Sequence, residues 1–347
     1  MTAPSPRPLP PRRLLHIAAR EPSDRIWTRR FREELALYGE LTIVGNGAAL
    51  AEEEHLRLIR ASEVLLTGWG SASIPAAIAR DRGRLEYVCN VTGSVQPFVP
   101  IEVIEAGIPV TNWGDAPAGR LAEGAMTLLL ATLKDLHQQI ECVRAGGWAL
   151  DGRLYGGTLE GMSVGIYGLG VIGRRFVEML RPFGAVMRFY DPYVTDCPDG
   201  LTRVDSLEAL FDASQAIVIH AGLSEETYHS VGAALLARLP DHAVIVNTAR
   251  GAIIDQEALF RELESGRLRA GLDVLEPPDR LPPGHPARTW ENLILSAHRI
   301  GRNPPDYYQD TNRLEDYHVV CLENLRRYAA GEPLHFCMDR DRYLRST

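Results

Sequence analysis

Short runs of consecutive apolar residues recur through this chain, separated by longer stretches in which apolar positions return every three or four residues. The first kind of segment predicts strands buried on both faces, the second helices that lay one face on a sheet. In the first third the strand candidates are Leu14–Ala18, Leu41–Val44, Val64–Leu66, Tyr87–Cys89 and Pro109–Thr111. Helical segments such as Trp27–Tyr38 and Ile74–Ala79 lie between them. From Leu121 to Ile140 a long, mostly apolar helical pattern follows the turn-rich WGDAPAG. Strands resume at Val164–Tyr167, Val186–Tyr190, Ala216–Ile219, Ala243–Val246, Leu268–Leu272 and Leu293–Ser296. Residues Tyr307–Tyr328 read as helical again, ahead of a short tail. Strand alternating with helix is the pattern of βα units stacked on parallel sheets. No repeat of solenoid period interrupts it.

One of these units carries chemistry. Between Val164–Tyr167 and the following helix stand Gly168, Gly170 and Gly173, spaced G-x-G-x-x-G, and the next strand ends at Asp191. The first glycine permits a tight turn and the second lets backbone approach a pyrophosphate. The third lets helix pack on strand, while the helix N-terminus, from Val171 and Ile172 onward, offers unpaired N–H donors. Asp191 stands at the spacing of a carboxylate that accepts from an adenosine ribose. Strand, turn, helix, strand and acid in that order point to a dinucleotide, and an acid at this position points to NAD.

Composition narrows the rest. At 347 residues the chain is too long for one ordinary core and suits two domains. A net charge of −8 argues against a nucleic-acid partner, which calls for a basic patch or stripe. No apolar run reaches membrane-span length. The proline-rich start, residues 1–12, lacks the apolar centre of a signal peptide and reads as a disordered leader. Five scattered cysteines without C-x-x-C spacing fit reduced thiols in a cytoplasmic protein, and no clustered Cys/His set suggests a metal.

Three further segments place polar residues just after apolar runs: Val246–Gly251 (VNTARG), Gly271–Val274 (GLDV) and Ser296–His298. Beside a dinucleotide turn, an arginine (Arg250) and a histidine (His298) at strand ends suit hydride transfer to a keto acid. A guanidinium holds a carboxylate by two parallel bonds, and imidazole titrates near physiological pH.

With GLGVIG at 168–173, VNTARG at 246–251, GLDV at 271–274 and LSAH at 295–298, the chain resembles the D-isomer-specific 2-hydroxyacid dehydrogenase family. Weaker likenesses are GIPVTN at 107–112, AEG at 122–124 and HAGLSEET at 220–227. The resemblance implies an α/β chain of two doubly wound parallel-sheet domains flanking a cleft. Residues 13–118 and 303–347 would form a flavodoxin-like substrate domain, and 119–302 an inserted Rossmann NAD domain that joins a homodimer. It further implies that Arg250 binds the carboxylate and carbonyl oxygen of a small anionic substrate and that His298 exchanges the proton. Gly93 and Ser94 would hold the substrate carboxylate, Asp273 would lie near the nicotinamide carboxamide, and His220, Thr227, Thr248 and Ala249 would lie along the cofactor.

Departures from the family pattern are informative. The glutamate that normally partners the histidine stands five residues after the GLDV aspartate; here that residue is Pro278. A one-residue insertion would move Asp279 into the role, and Glu276 is the other nearby carboxylate. Arg299 replaces a usual apolar residue, with Arg302 close behind; these are either a surface pair or a contact for a second anionic group on the substrate. Trp69 and Trp113 could wall the cleft, though buried packing is the plainer role. Gly222 and Gly124 stand where proline and histidine are common, and neither touches the chemistry directly. The leading function is NAD-dependent hydride transfer to or from a small 2-hydroxy or 2-keto acid. The alternatives are a formate- or phosphite-type dehydrogenase and an NAD(H)-sensing protein with little catalysis.

Overall fold

A computed structural model of the chain describes residues 12–21, 26–148, 156–301 and 314–345. Residues 1–11 of the expected leader and Arg302 lie outside these, whereas Arg12, counted with the leader, belongs to the first strand. The chain divides into two compact units, Met1–Pro117 with Pro304–Thr347, and Ala118–Asn303.

The first unit is built on five parallel strands: β1 (Arg12–Ile17), β2 (Gly39–Val44), β3 (Val64–Thr67), β4 (Tyr87–Asn90) and β5 (Val110–Thr111). Their order is β2-β1-β3-β4-β5, the flavodoxin-like arrangement. Side chains alternate across this sheet as strand geometry requires. Leu15, Ile17, Leu65 and Val88 enter one core, while Leu14, Val64, Leu66, Tyr87 and Cys89 enter the other. The helix Asp316–Ala330 supplies Cys321, Leu322 and Leu325 to that second core, so the C-terminal segment completes the unit begun by the N-terminal one.

The second unit carries β6 (Ser163–Tyr167), β7 (Val186–Tyr190), β8 (Leu201–Arg203), β9 (Ala216–Ile219), β10 (Val244–Asn247), β11 (Arg269–Leu272) and β12 (Leu293–Leu295). They run parallel in the order β12-β11-β10-β9-β6-β7-β8. Strand order reverses at β6, the first strand of the unit, as in a Rossmann sheet. Val164, Ile166, Ala216, Val218, Val244 and Val246 pack on one face; Ile217, Ile219, Ile245 and Tyr167 pack on the other.

Two expectations are corrected. The long helix over 121–140 is two helices, Ala118–Leu133 and Leu136–Arg144, because Asp135 adopts a left-handed backbone with φ 50°. Its buried carboxylate meets the Arg269 guanidinium at 3.1 Å, a paired buried charge that sets where the first helix stops. The segment 74–79 forms only a short 3₁₀ turn, Ala76–Ala79. Of the expected C-terminal helix, residues 307–313 lie outside the described residues, and the described helix spans Asp316–Ala330. Among the described residues no helix is long and apolar enough to cross a membrane. The five cysteines form no disulfide.

Candidate active site

The glycine turn after β6 is shaped as its sequence suggests. Gly168 has φ 92°, and a Cβ there would fall 2.5 Å from the Ala221 nitrogen. A Cβ on Gly173 would fall 2.4 Å from the Gly168 carbonyl oxygen, so the helix approaches the turn this closely only because Gly173 lacks one. Gly170 faces open space at the N-terminus of the ten-residue helix Val171–Leu180, which no side chain caps. Donors there, beginning with Val171 and Ile172, are available to an anion. Asp191, at the end of β7, accepts from the Leu169 N–H (2.8 Å) and the Tyr193 N–H (2.8 Å), which locks the turn to the acid. His220 follows β9, its ring tilted against Phe176 with centroids 5.0 Å apart. Its Nε2 is buried without a partner among the described residues, and burial pushes its pKa down to about 3, so the ring is neutral. An open glycine, an uncapped helix start and an orphaned imidazole nitrogen fit a dinucleotide, which would supply the hydride.

Arg250, Asp279 and His298 come together within the second unit. Asn247, closing β10, donates to the Arg250 carbonyl (2.9 Å) and accepts from the Ala249 N–H (3.0 Å), which fixes the turn behind Thr248. The Arg250 guanidinium donates to the Ala249 carbonyl at 2.7 Å. Burial lowers its pKa from the ordinary value and the Asp279 carboxylate opposes that shift, so it stays a cation. A Cβ on Gly251 would land 1.9 Å from the Leu275 carbonyl carbon. Glycine there lets the arginine turn lie directly on the loop that carries Asp279.

Asp279 holds the histidine. Its Oδ1 accepts from the Leu275 N–H (2.7 Å), and its Oδ2 lies 2.6 Å from His298 Nδ1. An ionised carboxylate only accepts, so Nδ1 carries a proton and Nε2 is the atom left for substrate. The ring is presented by two successive left-handed residues, Ala297 (φ 55°) and His298 (φ 56°), a backbone that L-residues adopt at a cost. Asp273 holds this turn: its Oδ1 accepts from Ser296 Oγ (2.7 Å) and from the N–H groups of Arg299 (2.7 Å) and Ile300 (3.1 Å). Its carbonyl takes the His298 N–H at 2.6 Å.

Other candidates take different places. Glu276 meets Nε2 of His229 in a close pair and is therefore drawn away from His298. Thr227 spends its hydroxyl inside its own loop, donating to the Gly222 carbonyl (2.7 Å) and accepting from the Ser224 N–H (2.7 Å). The Arg299 side chain is exposed, and only its backbone is tied to Asp273. In the first unit, the carbonyls of Thr92, Gly93 and Ser94 are all engaged by asparagine amides. Asn90 donates to Thr92 O (2.6 Å) and Ser94 O (3.2 Å), and Asn112 to Gly93 O (2.9 Å). Among the described residues nothing accepts from the Gly93 and Ser94 N–H groups, which leaves two amide donors for an anion. Asn90 and Asn112 were given no role in the sequence reading. An asparagine ending a strand, just before a Gly-Ser loop, was the available signal for Asn90. Among the described residues no group of three His, Cys, Asp or Glu is placed to hold a metal ion.

Known proteins share this organisation. A glyoxylate reductase of Korarchaeum cryptofilum is 31% identical over 67% of this chain and 69% of its own length. A D-3-phosphoglycerate dehydrogenase of Methanocaldococcus jannaschii is 30% identical over 77% of the chain, a match that spans 51% of that longer protein. The crystal structure of a glyoxylate reductase from Paecilomyes thermophila superposes with a TM-score of 0.75 at 25% identity, covering 96% of this chain and 100% of that one. The model of the D-isomer specific 2-hydroxyacid dehydrogenase NAD-binding domain matches residues 126–299. The chain therefore belongs to the D-isomer-specific 2-hydroxyacid dehydrogenase family, NAD(P)-dependent oxidoreductases that act on CH–OH donors.

Proposed function

We propose that this protein interconverts a small 2-keto acid and its 2-hydroxy acid with NAD(H). The observation that carries this reading is the His298–Asp279 pair at 2.6 Å beside the Arg250 cation. The Gly93 and Ser94 amides take the substrate carboxylate, and Arg250 holds carboxylate and carbonyl oxygen in one planar fork. As hydride reaches C2, charge develops on that oxygen; Arg250 stabilises it and His298 Nε2 delivers the proton. Asp279 compensates the imidazolium that precedes delivery and keeps the Nδ1 proton in place afterwards. An intact proton donor with a carboxylate behind it supports an enzyme over a protein that only senses NAD(H). A formate- or phosphite-type dehydrogenase has no alkoxide to protonate, so this pair would have no such task.

Asp191 supports NAD over NADP, because its carboxylate would repel a 2′-phosphate and Pro192 and Tyr193 bring no compensating cation. Arg299, an exposed guanidinium, is the residue that a second anionic group on the acid would call for. We also read the protein as a homodimer, which sedimentation at micromolar concentration tests. The deciding experiment is NADH oxidation against 2-keto acids, with formate and phosphite as donors to NAD⁺. Cofactor binding without turnover of any acid would sink the enzymatic reading, and equal efficiency with NADPH would sink the cofactor preference.

A further inference from the structure

Trp69, Trp113 and Tyr317 come from three distant segments and form one cluster in the first unit. Trp69 and Trp113 meet edge to face with centroids 5.4 Å apart and planes at 83°. Tyr317 stands 6.2 Å from each. Trp69 follows β3 and Trp113 follows β5, while the Gly93–Ser94 amides follow β4 between them. All three therefore lie beyond carboxyl ends of neighbouring parallel strands, where α/β sheets bind ligands. Contact with the amide loop is direct: a Cβ on Gly93 would fall 2.5 Å from Cε2, Cζ2 and Nε1 of Trp113. Trp69 is held at the tip of a tight turn in which the Ser71 N–H bonds Gly68 O (2.9 Å) and the Gly68 N–H bonds Ser71 Oγ (2.8 Å). It nevertheless leaves 40% of its surface exposed, unlike Trp27, which is buried in the same unit.

Resting on the 2-keto acid reading above, we propose that the substrate's side chain is apolar, an aryl or branched alkyl group, received by Trp69, Trp113 and Tyr317. In a 2-keto acid the side chain leaves the carbon next to the carboxylate carbon. A carboxylate bound at Gly93 and Ser94 thus brings that side chain within reach of the ring lying on Gly93. Aromatic rings accept another ring edge to face or offset, and bury alkyl groups, without supplying charge. Arg299 is the competing determinant, favouring a second anion instead. It has one observation, an exposed guanidinium; the aromatic cluster has mutual packing, an imposed turn and contact with the amide loop.

The test is steady-state NADH oxidation with phenylpyruvate, 2-ketoisocaproate, pyruvate, glyoxylate and oxaloacetate, on the full chain and on Trp69→Ala and Trp69→Phe. Phenylpyruvate or 2-ketoisocaproate is expected to exceed glyoxylate in kcat/KM by roughly 10- to 100-fold. The ratio should fall about tenfold in Trp69→Ala, mainly through KM, and return in large part in Trp69→Phe. Glyoxylate or oxaloacetate as the best substrate overturns the inference while leaving the reductase reading intact. A ratio that ignores Trp69→Ala overturns it as well. No turnover of any acid removes the reductase reading and this inference with it.

Discussion

Replacing Asp279 with asparagine should disable proton transfer without disturbing the loop. Asp279 has φ 54°, a conformation asparagine tolerates better than most residues, so the backbone carries little new strain. The neighbours dictate which way the amide points. The Leu275 N–H, now 2.7 Å from Oδ1, needs an acceptor, so the amide oxygen stays there and the NH₂ takes the place of Oδ2. That NH₂ donates toward His298 Nδ1, which must become an acceptor. The ring is then held as the Nε2–H tautomer with no stabilised charge. In reduction this form cannot release its proton without becoming an imidazolate; in oxidation its Nε2 is already occupied. Both directions lose the catalyst, whereas the carboxylate serves both. A positioned proton-transfer group contributes about 10²- to 10⁴-fold, so kcat/KM should fall by at least about a hundredfold. Loss of one charge-assisted bond at this half-exposed pair would alone cost only about tenfold. NADH affinity, followed by fluorescence, should stay within about threefold, since the substitution leaves the glycine turn intact. Asp279→Glu should retain more activity than Asp279→Asn, because it keeps an acceptor toward Nδ1. Activity of Asp279→Asn within about threefold of the parent in both directions would refute the reasoning.

Arg250→Ala should lower kcat/KM for any 2-keto acid by about a hundredfold or more while NADH still binds, and Arg250→Lys should restore only part of it because an ammonium lacks the planar fork; parental activity in either would remove Arg250 from the site. Gly173→Ala forces a Cβ to within 2.4 Å of the Gly168 carbonyl and should cost about 1–3 kcal/mol of stability together with NADH affinity, read by thermal melting and titration. Acid should unfold the first unit through His16 and His318, both buried and neutral: burial pushes each from 6.5 to about 4. The unfolded chain takes up those protons first, so stability is fully present above pH 6.5 and is lost as pH falls toward 4. The loss is up to about 3 kcal/mol per histidine. Urea unfolding followed by tryptophan fluorescence at pH 7 and pH 4.5 measures it, and a pH-independent midpoint would contradict it.

Much of this molecule follows from local order along the chain. Strands of a parallel sheet are covered on both faces, so Val244–Asn247 or Ala216–Ile219 appear as plain apolar runs, whatever packs on them. The glycine turn is equally local: tight turn, close helix contact and open N-terminus all lie within six residues, 168–173. What escaped was either too short or too polar to leave a period, as with β8 at Leu201–Arg203. The break at Asp135 escaped for another reason, because its partner Arg269 lies far along the sequence.

The sequence placed two carboxylates, Glu276 and Asp279, near the histidine, and a one-residue insertion favoured Asp279 without showing that it reaches the ring. Folding decided it through contacts remote in the chain. His229 takes Glu276, while the Leu275 N–H and a left-handed backbone aim Asp279 at His298. Trp69, Trp113 and Tyr317 likewise become one cluster only when β3, β4 and β5 lie side by side and the C-terminal helix returns to them. Residue types and backbone periods are properties of neighbours in sequence, and the chain alone determined them. Side-chain direction and pairing depend on which distant segments the sheet brings together, and that only the tertiary structure decided.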